Sequence, residues 1–248
     1  AGQVLCVGES TDEILFTTSN TDGLTTYEWT NNNTAIGLAA NGVGDIPSFV
    51  VVGSSVVSEI ATIEVTPTYD FNGVTCTGNP ETFTITVNPG AQVDPVAGQV
   101  LCVGESTDEI LFTTSNTDGL TTYEWTNNNT AIGLAASGIG DIPSFTATND
   151  TASALVATIE VTPTYENGGV TCTGNPETFT ITVNHDAQVD PVAGQVLCVG
   201  ESTDEILFTT SNTDGTTTYE WTNNNTAIGL SASGIGDIPS FTATNDTA

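Results

Sequence analysis

Thr82-Phe83-Thr84-Ile85-Thr86-Val87-Asn88 alternates small polar and large apolar side chains without a break. Successive side chains of an extended strand point to opposite faces, so Phe83, Ile85 and Val87 turn inward together while Thr82, Thr84 and Thr86 meet water. Working outward, the same alternation predicts strands at Gln3–Val7, Glu13–Thr18, Thr25–Thr30, Ile36–Ala39, Ser48–Val52, Ala61–Tyr69, Val74–Thr77 and Thr82–Asn88. On the third of these, Tyr27 and Trp29 share one face and Glu28 takes the other. Turn sequences such as Asn20-Thr21-Asp22-Gly23 and Phe71-Asn72-Gly73 separate the runs, and no segment carries the apolar stripe of a helix. Seven or eight short strands in about 100 residues read as an all-β, antiparallel β-sandwich.

The pattern then repeats. Ala-Gly-Gln-Val-Leu-Cys-Val-Gly-Glu-Ser begins at Ala1, Ala97 and Ala193, a step of 96 residues with no slip in register. A unit of that length suits an autonomous sandwich better than a solenoid turn, whose neighbours must share one core. The expected organisation is therefore residues 1–96, 97–192 and 193–248, the last holding only the first part of a copy. The first forty residues of the first two copies are identical, whereas Val50–Ala61 differs from Thr146–Ala157 at constant length. Variation at fixed span marks an exposed strand or loop. The connectors Asn88-Pro89-Gly90-Ala91-Gln92-Val93-Asp94-Pro95-Val96 and Asn184-His185-Asp186-Ala187-Gln188-Val189-Asp190-Pro191-Val192 each contain proline, which restricts bending and favours an elongated, semi-rigid array.

Composition excludes whole classes of function. The chain has 248 residues, no lysine or arginine, one histidine, thirty carboxylates and no methionine. Without cationic side chains it cannot displace counterions from a phosphate backbone or dock on anionic lipid, so neither nucleic acid nor direct membrane insertion is expected. No run approaches the roughly 20 apolar residues of a membrane span. Opening in mid-pattern and lacking methionine, the sequence is expected to be a piece of a longer polypeptide.

The Cys-Val-Gly start, the Tyr27-Glu28-Trp29 strand, the stretch from Ile36 to Phe49, and the ending from Cys76-Thr77-Gly78 through Pro89 together resemble the PKD-like repeats of giant Bacteroidota surface proteins. The resemblance covers the whole chain. It departs from the usual PKD pattern after Trp29, where Thr30-Asn31-Asn32-Asn33 replaces a Gly-Asp-Gly turn. It implies tandem Ig-like/PKD-like modules displayed outside the cell as long filaments, similar to gliding-motility adhesins exported by the type IX secretion system. The expected function is then a semi-rigid shaft at the cell surface, with neighbouring repeats or copies of the same filament as partners. A module that binds surface polysaccharide by multivalency and a non-catalytic spacer of a secreted enzyme are the alternatives.

Candidate site residues follow from the repeat. Cys6 with Cys76 and Cys102 with Cys172 are expected as a disulfide within each copy, since an exported chain meets an oxidising environment, and Cys198 is left over. Buried free thiols are the alternative, and zinc is disfavoured because no Cys-x-x-Cys or nearby histidine completes a ligand set. Trp29, Trp125 and Trp221 recur once per copy, as an inter-sheet core tryptophan does, a sugar-stacking platform being the other reading. His185 stands at one connector only and reads as an exposed linker residue.

No catalytic residue is expected, because one histidine and no lysine leave serine, cysteine and Schiff-base chemistry without a base or nucleophile. No cofactor is expected either. Asp94, Glu105, Asp108 and Glu109 lie near one another in sequence and are the carboxylates a calcium-stiffened joint would use. Thr151 and Thr247, each in Asp-Thr-Ala, resemble the O-glycosylation signal of exported Bacteroidota proteins.

Overall fold

The computed structural model describes residues 2–245. Six strands of the first copy, β1 (Gln3–Cys6), β2 (Leu24–Asn31), β3 (Asn41–Val43), β4 (Glu59–Phe71), β5 (Val74–Thr77) and β6 (Glu81–Asn88), form one sheet in the order β1-β6-β4-β2-β3, with β5 also on β4. The second copy repeats that order with β7 (Gln99–Cys102), β8 (Leu120–Asn127), β9 (Ser137–Ile139), β10 (Leu155–Asn167), β11 (Val170–Thr173) and β12 (Glu177–Asn184). In the third copy β13 (Glu220–Thr222) pairs with β14 (Ser233–Ile235). Pairing is antiparallel except at one edge, where β1 runs parallel to β6 and β7 parallel to β12.

Central β4 is long because it serves two partners in turn. Its first half pairs with β6 from Glu59↔Val87 to Val65↔Glu81, and its last four residues pair with β5. Pro67, which has no N–H to give, falls between the two ladders, where none is required.

The facing layer is looser than alternation predicts. Glu13–Thr18 and Ser48–Val52 do not become regular strands; the longer segments 8–18 and 46–52 that contain them meet through the single bridges Ile14↔Ile46 and Ser10↔Val50. Backbone bonds from Gly8 N to Val51 O at 2.8 Å and Thr11 N to Phe49 O at 2.9 Å hold them together. Ile36–Ala39, also predicted extended, is instead a one-turn 3-10 helix over Thr34–Ile36, closed by Gly37 at φ 94°. The asparagine run explains this. Asn33 caps the turn by accepting from Ala35 N at 3.0 Å, Asn31 donates to Leu38 O at 3.0 Å, and Asn32 accepts from Thr62 N at 2.8 Å. Local side-chain bonds of this kind outcompete a ladder.

Between the layers, Trp29, Ile63, Ile85 and Val87 from the sheet meet Ile36, Leu38, Ile46 and Val51 from the facing segments, and a second cluster repeats this in the second copy. Trp29 lies flat on Gly42 of β3, where a β-carbon would collide with the indole, and Trp125 lies likewise on Gly138. Trp29 and Trp125 are 7% and 5% exposed, which is the core role expected of them rather than an open stacking platform. Trp221 repeats the contact with Gly234 but is only half-buried.

Candidate functional site

Each copy has two unlike poles, set by the topology. At one, Cys6 of β1 lies opposite Asn88 of β6, beside the start of β4 at Glu59. At the other, Cys76 of β5 lies opposite Tyr69, near the end of β4. Ten strand residues separate Glu59 from Tyr69, so the two cysteines of one copy are about 30 Å apart. No disulfide spans that distance. The expected pairs Cys6 with Cys76 and Cys102 with Cys172 are accordingly overturned. Cys6 bonds instead to Cys172, 166 residues away and in the next copy, while Cys76, Cys102 and Cys198 are free and exposed.

The bond belongs to a joint in which the first pole of one copy meets the second pole of the next. Ser58, just before β4, donates its N–H to both carboxylate oxygens of Asp118 at 3.2 and 3.1 Å. Its hydroxyl lies 3.1 Å from Tyr165 Oη and 2.9 Å from Asn88 Oδ1, and receives a bond from Asn167 Nδ2 at 2.9 Å. Asn88 Nδ2 completes the circuit by donating to Asn167 O at 2.8 Å. Asn88 and Tyr165 are fully buried, so their polar groups need the partners they have, while Ser58, Asp118 and Asn167 are half-buried. Burial raises the Tyr165 phenol above its ordinary value; the Ser58 bond opposes this and nearby Asp118 adds to it.

The connector is part of the same joint. Gln92 N donates to Asn116 Oδ1 at 2.9 Å and Asp94 N to Thr113 O at 2.8 Å, while Thr113 Oγ1 donates to Asp94 Oδ2 at 2.6 Å. Ala91 is buried, and its carbonyl occupies the space a β-carbon on Gly174 would need. Val93 and Val96 pack against the core of the second copy. The connector is thus an extra apolar segment laid along the module that follows it.

The second joint keeps the backbone pattern. Thr213 N donates to Ala152 O, and Ala154 N to Asp214 Oδ2 at 2.7 Å, matching Thr117 with Val56 and Ser58 with Asp118 one period earlier. Asp190 N bonds to Thr209 O at 2.8 Å, as Asp94 does to Thr113. His185, expected to be an exposed linker residue, is not: its side chain is 13% exposed, and Nε2 lies 2.7 Å from Asp214 Oδ1. Its Nδ1 lies 2.9 Å from Asp186 O, so both ring nitrogens face acceptors and the protonated ring suits the site. The Asp186 carbonyl, then Asp214, raise His185 above its ordinary 6.5. The Ala154 N–H, then His185, lower Asp214. Nothing in the sequence near His185 announces this pair, because Asp214 lies 29 residues on.

The four carboxylates named for calcium are not brought together. Among the described residues there is no group of three or more His, Cys, Asp or Glu placed to hold a metal ion. Asp94 is taken by Thr113, Glu105 accepts from Cys102 N at 2.7 Å, and the backbone of Asp108 is held by Gln99. Glu109 has no part in either joint. Thr151 is exposed in the turn leading to the second joint, with its hydroxyl near Asn149 Oδ1 and Ser153 O, both at 2.7 Å. Thr247 lies outside the described residues. Among the described residues no helix is long and apolar enough to cross a membrane.

No protein-family model and no curated protein sequence matches the chain. Among solved structures, it is similar to mouse cadherin-23 EC22-24, with TM-score 0.44, 12% identity and 98% of this chain against 84% of that one. It is also similar to human CDH23 EC21-23, with TM-score 0.38, 13% identity and coverage of 99% and 89%. Human desmocollin-1 ectodomain gives TM-score 0.37 and 10% identity, with coverage of 98% and 54%. These likenesses are loose and say nothing of ligand or partner.

Proposed function

We propose that this chain is a structural segment of an extended bacterial cell-surface filament or adhesin, in which tandem modules act as a semi-rigid, non-catalytic shaft outside the cell. The observation that carries the proposal is the joint. The first two copies meet through a disulfide, a polar ring and a connector bound along the next module, and the second joint keeps the bound connector, rather than either being a free linker. A joint of that kind suits a spacer, whose task is to hold length and direction. The disulfide supports an oxidising, extracellular setting. The thirty carboxylates, which face no lysine or arginine, support a solvated, self-repelling surface that stays extended.

The resemblance of Ile36–Phe49 and Cys76–Pro89 to PKD-like repeats is the reason to place the filament with Bacteroidota surface proteins of the gliding-motility and type IX secretion kind. O-glycosylation at Thr151 belongs to the same reading, and that side chain is exposed. Carbohydrate recognition by each repeat finds less support, since Trp29 and Trp125 are buried. A non-catalytic role is supported by His185, the sole histidine, being engaged in an ion pair at a joint. Electron microscopy of the native particle tests the shaft: beaded fibres are expected, and a compact globule would remove it.

A further inference from the structure

The first and second copies share nearly the same sequence but not the same burial. Phe112, Tyr165, Cys172 and Phe179 are buried in the second copy, the cysteine at 2% exposure. Their equivalents Phe16, Tyr69 and Phe83 are only half-buried, and Cys76 is exposed. The cause is visible in the second copy, where Val93 and Val96 of the preceding connector pack against the cluster that holds Phe112 and Phe179, while Ser58 and Cys6 of the first copy sit on Tyr165 and Cys172. In the first copy the same ground is an open groove of about 540 Å³, lined by Leu15, Phe16, Tyr27, Pro67, Tyr69 and Cys76. Gly78 borders it, where an added β-carbon would meet only Pro67, whereas its counterpart Gly174 is closed off by the Ala91 carbonyl as well as by Pro163.

We infer that this open pole is a seat for one further copy of the same repeat, docked head to tail, with that copy's connector in the groove and its first cysteine bonded to Cys76. The occupant is chosen by its chemistry. Both connectors read Ala-Gln-Val-Asp-Pro-Val, at residues 91–96 and 187–192, and the first of them fills the equivalent groove in the second copy. The free cysteines follow the same rule. Cys102 and Cys198 stand at the Cys6 position of their copies and Cys76 at the Cys172 position, so each is one half of a bond between successive copies.

The hairpin tips add selectivity. Asn167, which binds Ser58, is replaced in the first copy by Phe71, stacked on Tyr69 with ring centroids 6.4 Å apart and 8° between planes. An apolar tip of this kind matches a copy of the Ala154 type at the facing position better than one of the Ser58 type. Bond formation removes two protons and two electrons from two thiols, and these pass to a small-molecule disulfide, which is reduced to two thiols. The inference deepens the shaft reading and supplies its partner, yet the two fail separately: a compact particle would sink the shaft and leave the seat intact.

The test lengthens the 248-residue chain by one copy with the sequence of residues 97–192, set in register before Ala1, and oxidises it with glutathione disulfide. Because the chain has no Lys or Arg, mapping without reduction uses a glutamyl protease. Cys76 is expected to be joined to the added copy's first cysteine, with Cys6 still joined to Cys172; in the chain without the addition Cys76 is alkylated. Cys76 free in the longer chain, or joined to Cys6, overturns the inference. A second form, with serine at Cys76 and at its intended partner, separates the groove from the bond. Hydrogen exchange at the added connector's aspartate amide, the counterpart of Asp94, should be slowed at least tenfold relative to a free peptide of the same sequence. Exchange at the free-peptide rate means the groove is empty and overturns it equally.

Discussion

The two joints are built on one backbone pattern and closed by different side chains. At the first, Asp118 holds the Ser58 amide while Tyr165, Asn167 and Asn88 close a buried ring beside the Cys6–Cys172 bond. At the second, Asp214 holds the Ala154 amide and turns its other oxygen to His185. Where both joints have counterpart residues, the difference arises from the variable stretch Val50–Ala61 against Thr146–Ala157 and from the replacement of Pro89 by His185; the counterparts of Tyr165, Asn167 and Cys172 would fall at positions 261, 263 and 268, past residue 248, so the ring and the bond are not part of it. Sequence divergence in this repeat therefore sits largely where copies touch. Nearly identical copies thus carry Ser58 against Ala154 and Pro89 against His185 at the places where they touch a neighbour.

Removing the disulfide should have the largest effect on the first joint. Cys6→Ser is expected to cost the linked pair of copies about 5 kcal/mol in the chain-entropy model for a loop this long, read by denaturant unfolding with and without reductant. A loss under 1 kcal/mol would mean that the ring and connector hold the first joint alone. Gly174→Val comes next. Its side chain meets the Ala91 carbonyl, so the connector must lift, at about 2 kcal/mol, whereas Gly78→Val in the open groove of the first copy meets only Pro67 and should cost less. Equal losses at the two glycines, measured by thermal midpoint, would contradict the contrast between a filled and an open groove.

Tyr165→Phe removes one hydroxyl from the buried ring and should cost about 1 kcal/mol, while Tyr69→Phe should have almost no effect. Smallest is the pH response of the second joint. His185 is raised, so its contribution is whole below 6.5 and fades as pH climbs through its folded value; Asp214 is lowered, so its contribution is whole above 3.8 and fades as pH falls through its own. Both contributions are thus whole between 3.8 and 6.5. Nuclear magnetic resonance titration should find His185 above 6.5, and His185→Pro, the residue at the first joint, should flatten the profile. A titration at or below 6.5 would show that Asp214 does not face a charged ring.

Much of the sheet could be read in advance. The alternation of Thr82–Asn88 marks β6, and Tyr27 and Trp29 turn inward against Glu28 as their spacing requires. Ile36–Ala39 misled because a short apolar run does not reveal that Asn31 and Asn33 will bind its backbone into a turn. The disulfide misled for a deeper reason. In a strictly periodic chain, a partner 70 residues away and one 166 away differ by a single period and carry the same local sequence. Spacing cannot choose between them. Only the parallel entry of β1 beside β6, which puts Cys6 at the pole away from Cys76, decides it. The ion pair was hidden likewise, since His185 and Asp214 are joined by the fold and not by proximity in the chain.

The Cys6–Cys172 bond also sets how the molecule answers a pull along its length. Tension entering near the first residues crosses the sulfur bridge directly into β11, next to the end of the second copy, and the 165 residues between the two cysteines carry almost none of it. Stretching does not unravel the parts of the two cores that lie between the cysteines until the covalent bridge is reduced, whereas β12, which follows Cys172 and carries Phe179, Ile181 and Val183, stays in the path of the load.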